Sequence, residues 1–391
     1  MTCQGQRASG ARRVALRARK ECLSRRARRN SRRAGRIRWI ERQLALSVAV
    51  GVILAVAGQT LAYGYFGCKF EPPDGRVLHG AGDTPESFDK YCQAVAPHTP
   101  SMFMAYYQLQ LTQGVPEFRL YLEKHPGVIP QLGVEWVEHS RGKPQGLDRA
   151  IVNGEFDRTI TALARYLSHL DRPVFLRPGF EFNGPWNNYD ACNYPSAFRR
   201  IVSIFRKEGA ENVAFVWCFV PDGRPEFERW YPGDEWVDWW GINLFSPEHF
   251  SCKLAHAFLK DAERHRKPVM ICESCPRYVG TGMGSDAWNR WFAPYFRTMQ
   301  QYPHIKGFCY INVDWRRRRR WMAWGDCRIE ENEKLARLYK AELGRRSYIH
   351  LSPVLGSAVG YYPLPMPPTS PARGVIDIGL TPDAADQEDT R

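Results

Sequence analysis

Eight short apolar runs, each followed by polar or amphipathic sequence, constrain this chain more than any other feature. They fall at 76–82, 101–109, 127–136, 173–184, 213–221, 237–245, 268–276 and 305–315. Most are continuously apolar rather than alternating, as strands are when both faces of a sheet are covered. Helical spacing is clear at 156–170, 194–208 and 252–265. Eight strand–helix units between residues 76 and 350 predict an α/β fold, a closed (β/α)8 TIM barrel. A doubly wound open sheet is the alternative, but no glycine-rich phosphate loop follows any run. No internal repeat recurs at a fixed period.

In such a barrel the chemistry sits at the C-terminal ends of the strands. The fourth run ends in RPGFEFNGPW (177–186) and the seventh in KPVMICES (267–274). Glu181 and Glu273 are thus predicted to face one substrate across the mouth. Glutamate is disfavoured inside a buried parallel strand, so each has a cost that function would explain. A rim salt bridge is the plain reading of either one alone. Together they suit glycoside hydrolysis, in which one carboxyl protonates the leaving oxygen and the other attacks the anomeric carbon. Phe180, Phe182 and Trp186 flank Glu181, and desolvation would raise its pKa as an acid catalyst requires. Twelve of the thirteen tryptophans lie between Trp136 and Trp324, ordinary core material in part and also what a sugar-stacking cleft needs.

With YPGDEWVDWWGIN (231–243) and DWRRRRRWMAWGDCRI (314–329), these motifs make the body resemble glycoside hydrolase family 26, which includes endo-β-mannanases. The resemblance extends over roughly residues 76–330. It implies Glu181 as general acid/base and Glu273 as nucleophile, with Arg177 and Asn183 holding the nucleophile and the sugar 2-hydroxyl. It also implies Trp186, Trp217 and Trp315 as sugar-stacking aromatics, Trp324 being an alternative to Trp315. This chain departs from the family pattern twice. Phe180 stands where the family has His before the acid/base, and Phe245 where a Tyr would hydrogen-bond the nucleophile. The reading is therefore a retaining glycosidase acting on a β-linked polysaccharide, the alternative being a glycan-binding barrel without turnover.

Other candidates carry less. His79, at the end of the first run, either reaches substrate or is a satisfied rim histidine. Asn243 and Gln131 are candidate sugar hydrogen-bonders. Arg316–Arg320 is either a solvated loop or a site for an acidic glycan. Asp314 and Asp326 are expected to pair with those arginines. Cys272 and Cys275 flank Glu273, and packing or a local disulfide is the expected role. No second CxxC or HxxxH accompanies them, so no metal is expected, and no cofactor.

Charge fixes the remaining expectations. The chain carries 55 Lys+Arg against 41 Asp+Glu, a net +14. Residues 1–43 hold fifteen of those bases and only Glu21 and Glu41, which leaves the body at about +1. Nucleic acid is therefore not an expected partner. The arm instead precedes an uncharged apolar stretch, 44–67, that reads as a signal anchor or a signal peptide, with Ala55-Val56-Ala57 as a cleavage site. The positive flank puts the arm in the cytoplasm and residues 68–350 outside, secreted or membrane-anchored. Residues 351–391, proline-rich and then acidic, read as a disordered tail.

Overall fold

The computed structural model describes residues 66–110, 119, 121–139 and 143–361. The basic arm, most of the apolar stretch and the acidic end of the chain lie outside the described residues. Among the described residues no helix is long and apolar enough to cross a membrane.

All eight predicted strands form: β1 (Val77–Gly82), β2 (Met102–Gln108), β3 (Ile129–Glu135), β4 (Val174–Pro178), β5 (Val213–Phe219), β6 (Trp239–Leu244), β7 (Val269–Ser274) and β8 (Ile305–Ile311). Each pairs in parallel with the next, and β8 pairs with β1 through Leu78↔Gly307 to Gly82↔Ile311, closing the barrel. The strands are apolar throughout because each is covered twice. On β5, Ala214, Val216 and Cys218 fill the barrel interior, while Val213, Phe215, Trp217 and Phe219 pack beneath the outer shell.

That shell is built from helices α1 (Pro85–Val95), α2 (Asp157–Ser168), α3 (Tyr194–Lys207), α4 (Lys253–Arg264), α5 (Ala293–Gln301) and α6 (Glu333–Leu343), with shorter turns between them. In α3 the buried residues Tyr194, Ala197, Phe198, Ile201, Val202 and Phe205 recur at three- and four-residue intervals, so one stripe faces the barrel. Each large apolar side chain so buried contributes about 1.5–3 kcal/mol. The helix ends at Gly209, whose φ of +69° permits the reversal into β5.

Two expectations need correction. The fifth strand is followed by two 3-10 turns, Phe227–Trp230 and Asp234–Trp236, and not by a helix. Pro221, Pro225 and Pro232, with Gly223 and Gly233, interrupt any helical run there. The tail boundary at 351 also falls inside packed structure. A short strand, Tyr348–Ile349, pairs with β1, and Leu355 and Val359 are buried against the barrel interior. With Phe70, which meets the rings of Phe175 and Tyr361 edge-on at 6.2 and 5.9 Å, they close the N-terminal end of the barrel. One end is thus plugged, which leaves the C-terminal ends of the strands as the face that carries a site.

Candidate active site

The geometry starts with a backbone irregularity. β7 pairs Ile271 with Ile242 on one side and Phe308 on the other, yet the next partners are Asn243↔Glu273 and Tyr310↔Ser274. β7 therefore carries one extra residue, a bulge at Cys272-Glu273, against both neighbours. Met270 and Cys272 point inward. Simple alternation would send Glu273 out to the helices, but the bulge resets the parity and turns its carboxylate into the mouth. Ser274 then takes the outward direction, bonding the Tyr295 hydroxyl at 2.9 Å and the Cys309 carbonyl at 2.8 Å.

Glu273 is held on two sides. Arg177, on β4 and fully buried, donates from Nη1 to Glu273 Oε1 at 2.6 Å. The guanidinium lies over the rings of Phe180 and Tyr106, 4.9 and 5.7 Å from their centroids. Its Nε and Nη2 have no hydrogen-bond partner among the described residues. The Tyr106 hydroxyl, on β2, also bonds Glu273. Burial first, and the Glu273 charge second, push that phenol well above its usual pKa, so it remains a donor. The Tyr missing at Phe245 thus has a substitute from another strand. No motif in β2 announces it.

Glu181 sits three residues beyond β4, in a left-handed conformation with φ +52°. Such a backbone costs a non-glycine residue of order 1 kcal/mol and is retained where its surroundings fix it. Trp186 Nε1 donates to its Oε2 at 2.7 Å, and Asn243 Nδ2, at the end of β6, donates to its Oε1 at 2.9 Å. Its pKa is pushed up to about 7. Burial is the largest cause and the Glu273 charge the next, with the Asn243 and Trp186 hydrogen bonds and Arg177 pulling the other way. The two carboxyls therefore differ in kind: one is clamped to a buried cation, the other is desolvated and poised near neutrality.

The other candidates divide. Trp324 is partly exposed beside Phe245, with ring centroids 5.1 Å apart, and Trp315 packs behind it at 5.0 Å. Both belong to the mouth, Trp315 being nearly buried. Trp217 does not belong there. It points outward from β5, stacked at 4.2 Å on Phe182 and packed against Phe258 of α4. His79 faces away from the mouth too, buried on the outer side of β1 and bonded to Tyr91 at 2.7 Å and His350 at 3.0 Å. Asn183 is consumed by structure: its amide bonds the carbonyls of Val220 and Arg224 and accepts from the Val220 amide, tying the β4 loop to the β5 loop. Gln131 fills the barrel interior, donating to the Cys272 carbonyl at 3.1 Å.

Among the arginines, Arg316 bonds Asp314 and Asp326 at 2.7 Å each, as expected of those aspartates. Arg318 pairs with Asp83 at 2.7 Å and lies over Trp315. Asp83, immediately after β1, feels the Glu273 charge and belongs to the same mouth. A first-run boundary at Gly82 hid it. Cys272 and Cys275 are buried free thiols, so packing is their role and not a disulfide. Among the described residues no group of three or more metal-ligating side chains forms.

A closed parallel barrel with two carboxyls of opposite character at its mouth is the equipment of a glycoside hydrolase. A model of glycosyl hydrolase family 26 matches residues 135–261. A β-1,3-xylanase from Alcaligenes sp is 32% identical over 54% of this chain and 51% of its own length. A β-1,3-xylanase from Vibrio sp is 32% identical over 54% and 52%. The chain spans about half the length of these curated relatives. Among solved structures, a Cellulomonas fimi endo-β-1,4-mannanase superposes with a TM-score of 0.56 at 17% identity, over 73% of this chain and 74% of that one. A Bacillus subtilis mannanase does so with a TM-score of 0.51 at 18% identity, over 72% and 88%. These two likenesses concern the fold. These findings support placing the matched region of the chain in glycoside hydrolase family 26.

Proposed function

We propose that the protein is a retaining glycoside hydrolase acting on a β-linked polysaccharide, with Glu181 as general acid/base and Glu273 as nucleophile. One observation carries the reading: Glu181, raised to about 7, stands across the mouth from a carboxylate held by Arg177. Near neutral pH Glu181 keeps a proton to give the leaving oxygen while Glu273 attacks the anomeric carbon. Deprotonated by that step, Glu181 then takes a proton from the water that releases the sugar. Trp324 offers a stacking face, and Trp186 and Asn243 keep the acid carboxyl aimed.

For the substrate, β-1,3-linked xylan ranks first. The curated relatives named β-1,3-xylanases are 32% identical, against 17–18% for the mannanase structures. Phe180 and Phe245 give the mouth apolar walls instead of donors, which suits a pentose ring that carries no hydroxymethyl group. The same two residues favour the second reading, a barrel that binds glycan without cleaving it. We infer also that the barrel works outside the cytoplasm, carried there by segment 44–67, which cell fractionation tests.

The test is a panel of β-1,3-xylan, β-1,4-xylan and β-1,4-mannan with wild type and Glu273→Gln, the product anomer being followed by NMR. Release of β-anomeric products by wild type alone is the expected result. Inverted products overturn the mechanism. Binding without release by either protein supports the second reading.

A further inference from the structure

A single chain of side chains runs beneath the two carboxyls: Glu273, Arg177, Cys218, Asn243, Glu181. Arg177 bonds Glu273 at 2.6 Å and its Nη1 also lies 3.8 Å from Cys218 Sγ. Cys218 Sγ donates to Asn243 Oδ1 at 3.4 Å. The other end of that amide, Nδ2, donates to Glu181 at 2.9 Å. Every one of the three linking residues is fully buried, so no bulk water competes for these groups.

We propose that Cys218 is a positioning residue, whose thiol fixes which end of the Asn243 amide faces Glu181 and so joins the two carboxyls through one chain of contacts. The direction of the chain follows from donor chemistry. A guanidinium N–H only donates, so the sulfur meets Arg177 with a lone pair and keeps its own hydrogen for another acceptor. The Asn243 carbonyl is that acceptor. With the oxygen end engaged, the NH2 end must face Glu181. Cys272, which also touches Cys218, sends its own hydrogen to the Met270 carbonyl at 3.5 Å. Gly241 makes room for this arrangement: a Cβ there would lie 2.6 Å from Cys272 Sγ and 3.2 Å from the Cys218 Cα.

A thiol is a weak donor, so its energy is small. Its effect is orientation. With the NH2 end turned to Glu181, Asn243 favours the charged carboxylate; turned over, its carbonyl would accept from the protonated acid and favour the neutral form. The charged and titratable groups acting on Glu181 are Glu273, Arg177 and the buried Tyr189. Of these only Arg177 touches Cys218, and its bond to Glu273 does not pass through the thiol.

The proposal is tested in substrate-free protein, so that its failure is separate from any failure of the glycosidase reading. Glu181 is titrated by carboxyl-carbon NMR in wild type, Cys218→Ser and Cys218→Val, each also combined with Asn243→Ala. Valine removes the donor and keeps the volume; serine keeps a donor. The expected result is an upward midpoint shift of about half to one pH unit in Cys218→Val and no upward shift in Cys218→Ser. The shift must vanish in the Asn243→Ala background. An unchanged midpoint in Cys218→Val, or an equal rise with serine, overturns the proposal, as does a shift that survives without Asn243. Should the valine variant not fold, Cys218→Ala gives the same reading without added bulk.

Discussion

Replacing Glu273 by Ala removes one half of an ion pair whose other half cannot reach water. Arg177 has no exposed side-chain surface and Glu273 is 8% exposed. After the replacement the guanidinium keeps its two aromatic contacts and the Tyr106 hydroxyl loses its acceptor. An uncompensated buried charge of this kind costs about 3–5 kcal/mol. For a barrel this large that is on the order of a 10 °C fall in melting temperature. Removing the cation as well should restore most of it, because the pair's desolvation cost disappears with both members. The assay is a double-mutant cycle of Glu273→Ala, Arg177→Met and the double variant, by urea denaturation with circular dichroism. The double variant should be at least about 2 kcal/mol more stable than additivity allows. Turnover should be lost in all three. Additivity within about 0.5 kcal/mol would refute the buried pair, and with it the account of how Glu273 is held.

Three further outcomes follow from the same environments. Glu181, whose pKa is raised from 4.5 to about 7, contributes stability below its unfolded value and loses it as pH rises through 7, about 3 kcal/mol in all. Glu181→Gln should therefore be more stable than wild type at pH 8 and lack that slope, and equal slopes in urea denaturation between pH 5 and 8 would contradict it. Tyr106→Phe should lower kcat about tenfold with little change in KM, since only the donor to Glu273 is lost, and steady-state kinetics decide it. His79 is held well below its usual pKa, by burial first and then by His350 and His98. Its stabilising contribution is complete above about pH 6.5 and lost as pH falls below that. Wild type should lose stability from pH 6.5 to 5 faster than His79→Asn does, and parallel curves would refute this.

The eight strands could be read from sequence because both faces of each are covered. That same fact conceals which way any side chain points. On β5 every residue is apolar, so hydrophobicity cannot separate Trp217, which faces the helices, from Cys218, which faces the interior. Size could have done so: Phe215, Trp217 and Phe219 alternate with Ala214, Val216 and Cys218, and the narrow interior takes the smaller set. On β1, Gly80 and Gly82 meet β2 and β8 so closely that a Cβ would fall within 3 Å of neighbouring atoms, and His79, next to Gly80, takes the outward, helix-facing side. Asn183 lies in a motif beside Glu181, yet adjacency in sequence said nothing of the β5 loop that consumes its amide.

The proposed catalytic pair depends on departures from regularity that no periodic pattern reports. Glu273 enters the mouth because β7 has one residue more than either neighbour between its pairing points. Delete that residue and Glu273 would take the direction of Ser274, towards Tyr295 and the shell. Glu181 reaches Asn243 and Trp186 only through a backbone turn that ordinary residues avoid. Both irregularities cost stability, as does desolvating Glu181. A chain selected for stability alone would have kept β7 in register and placed a polar, exposed residue at 181. That these costs fall at the two positions where the proposed mechanism needs an acid and a nucleophile favours the reading of this mouth as built for reaction and not only for binding.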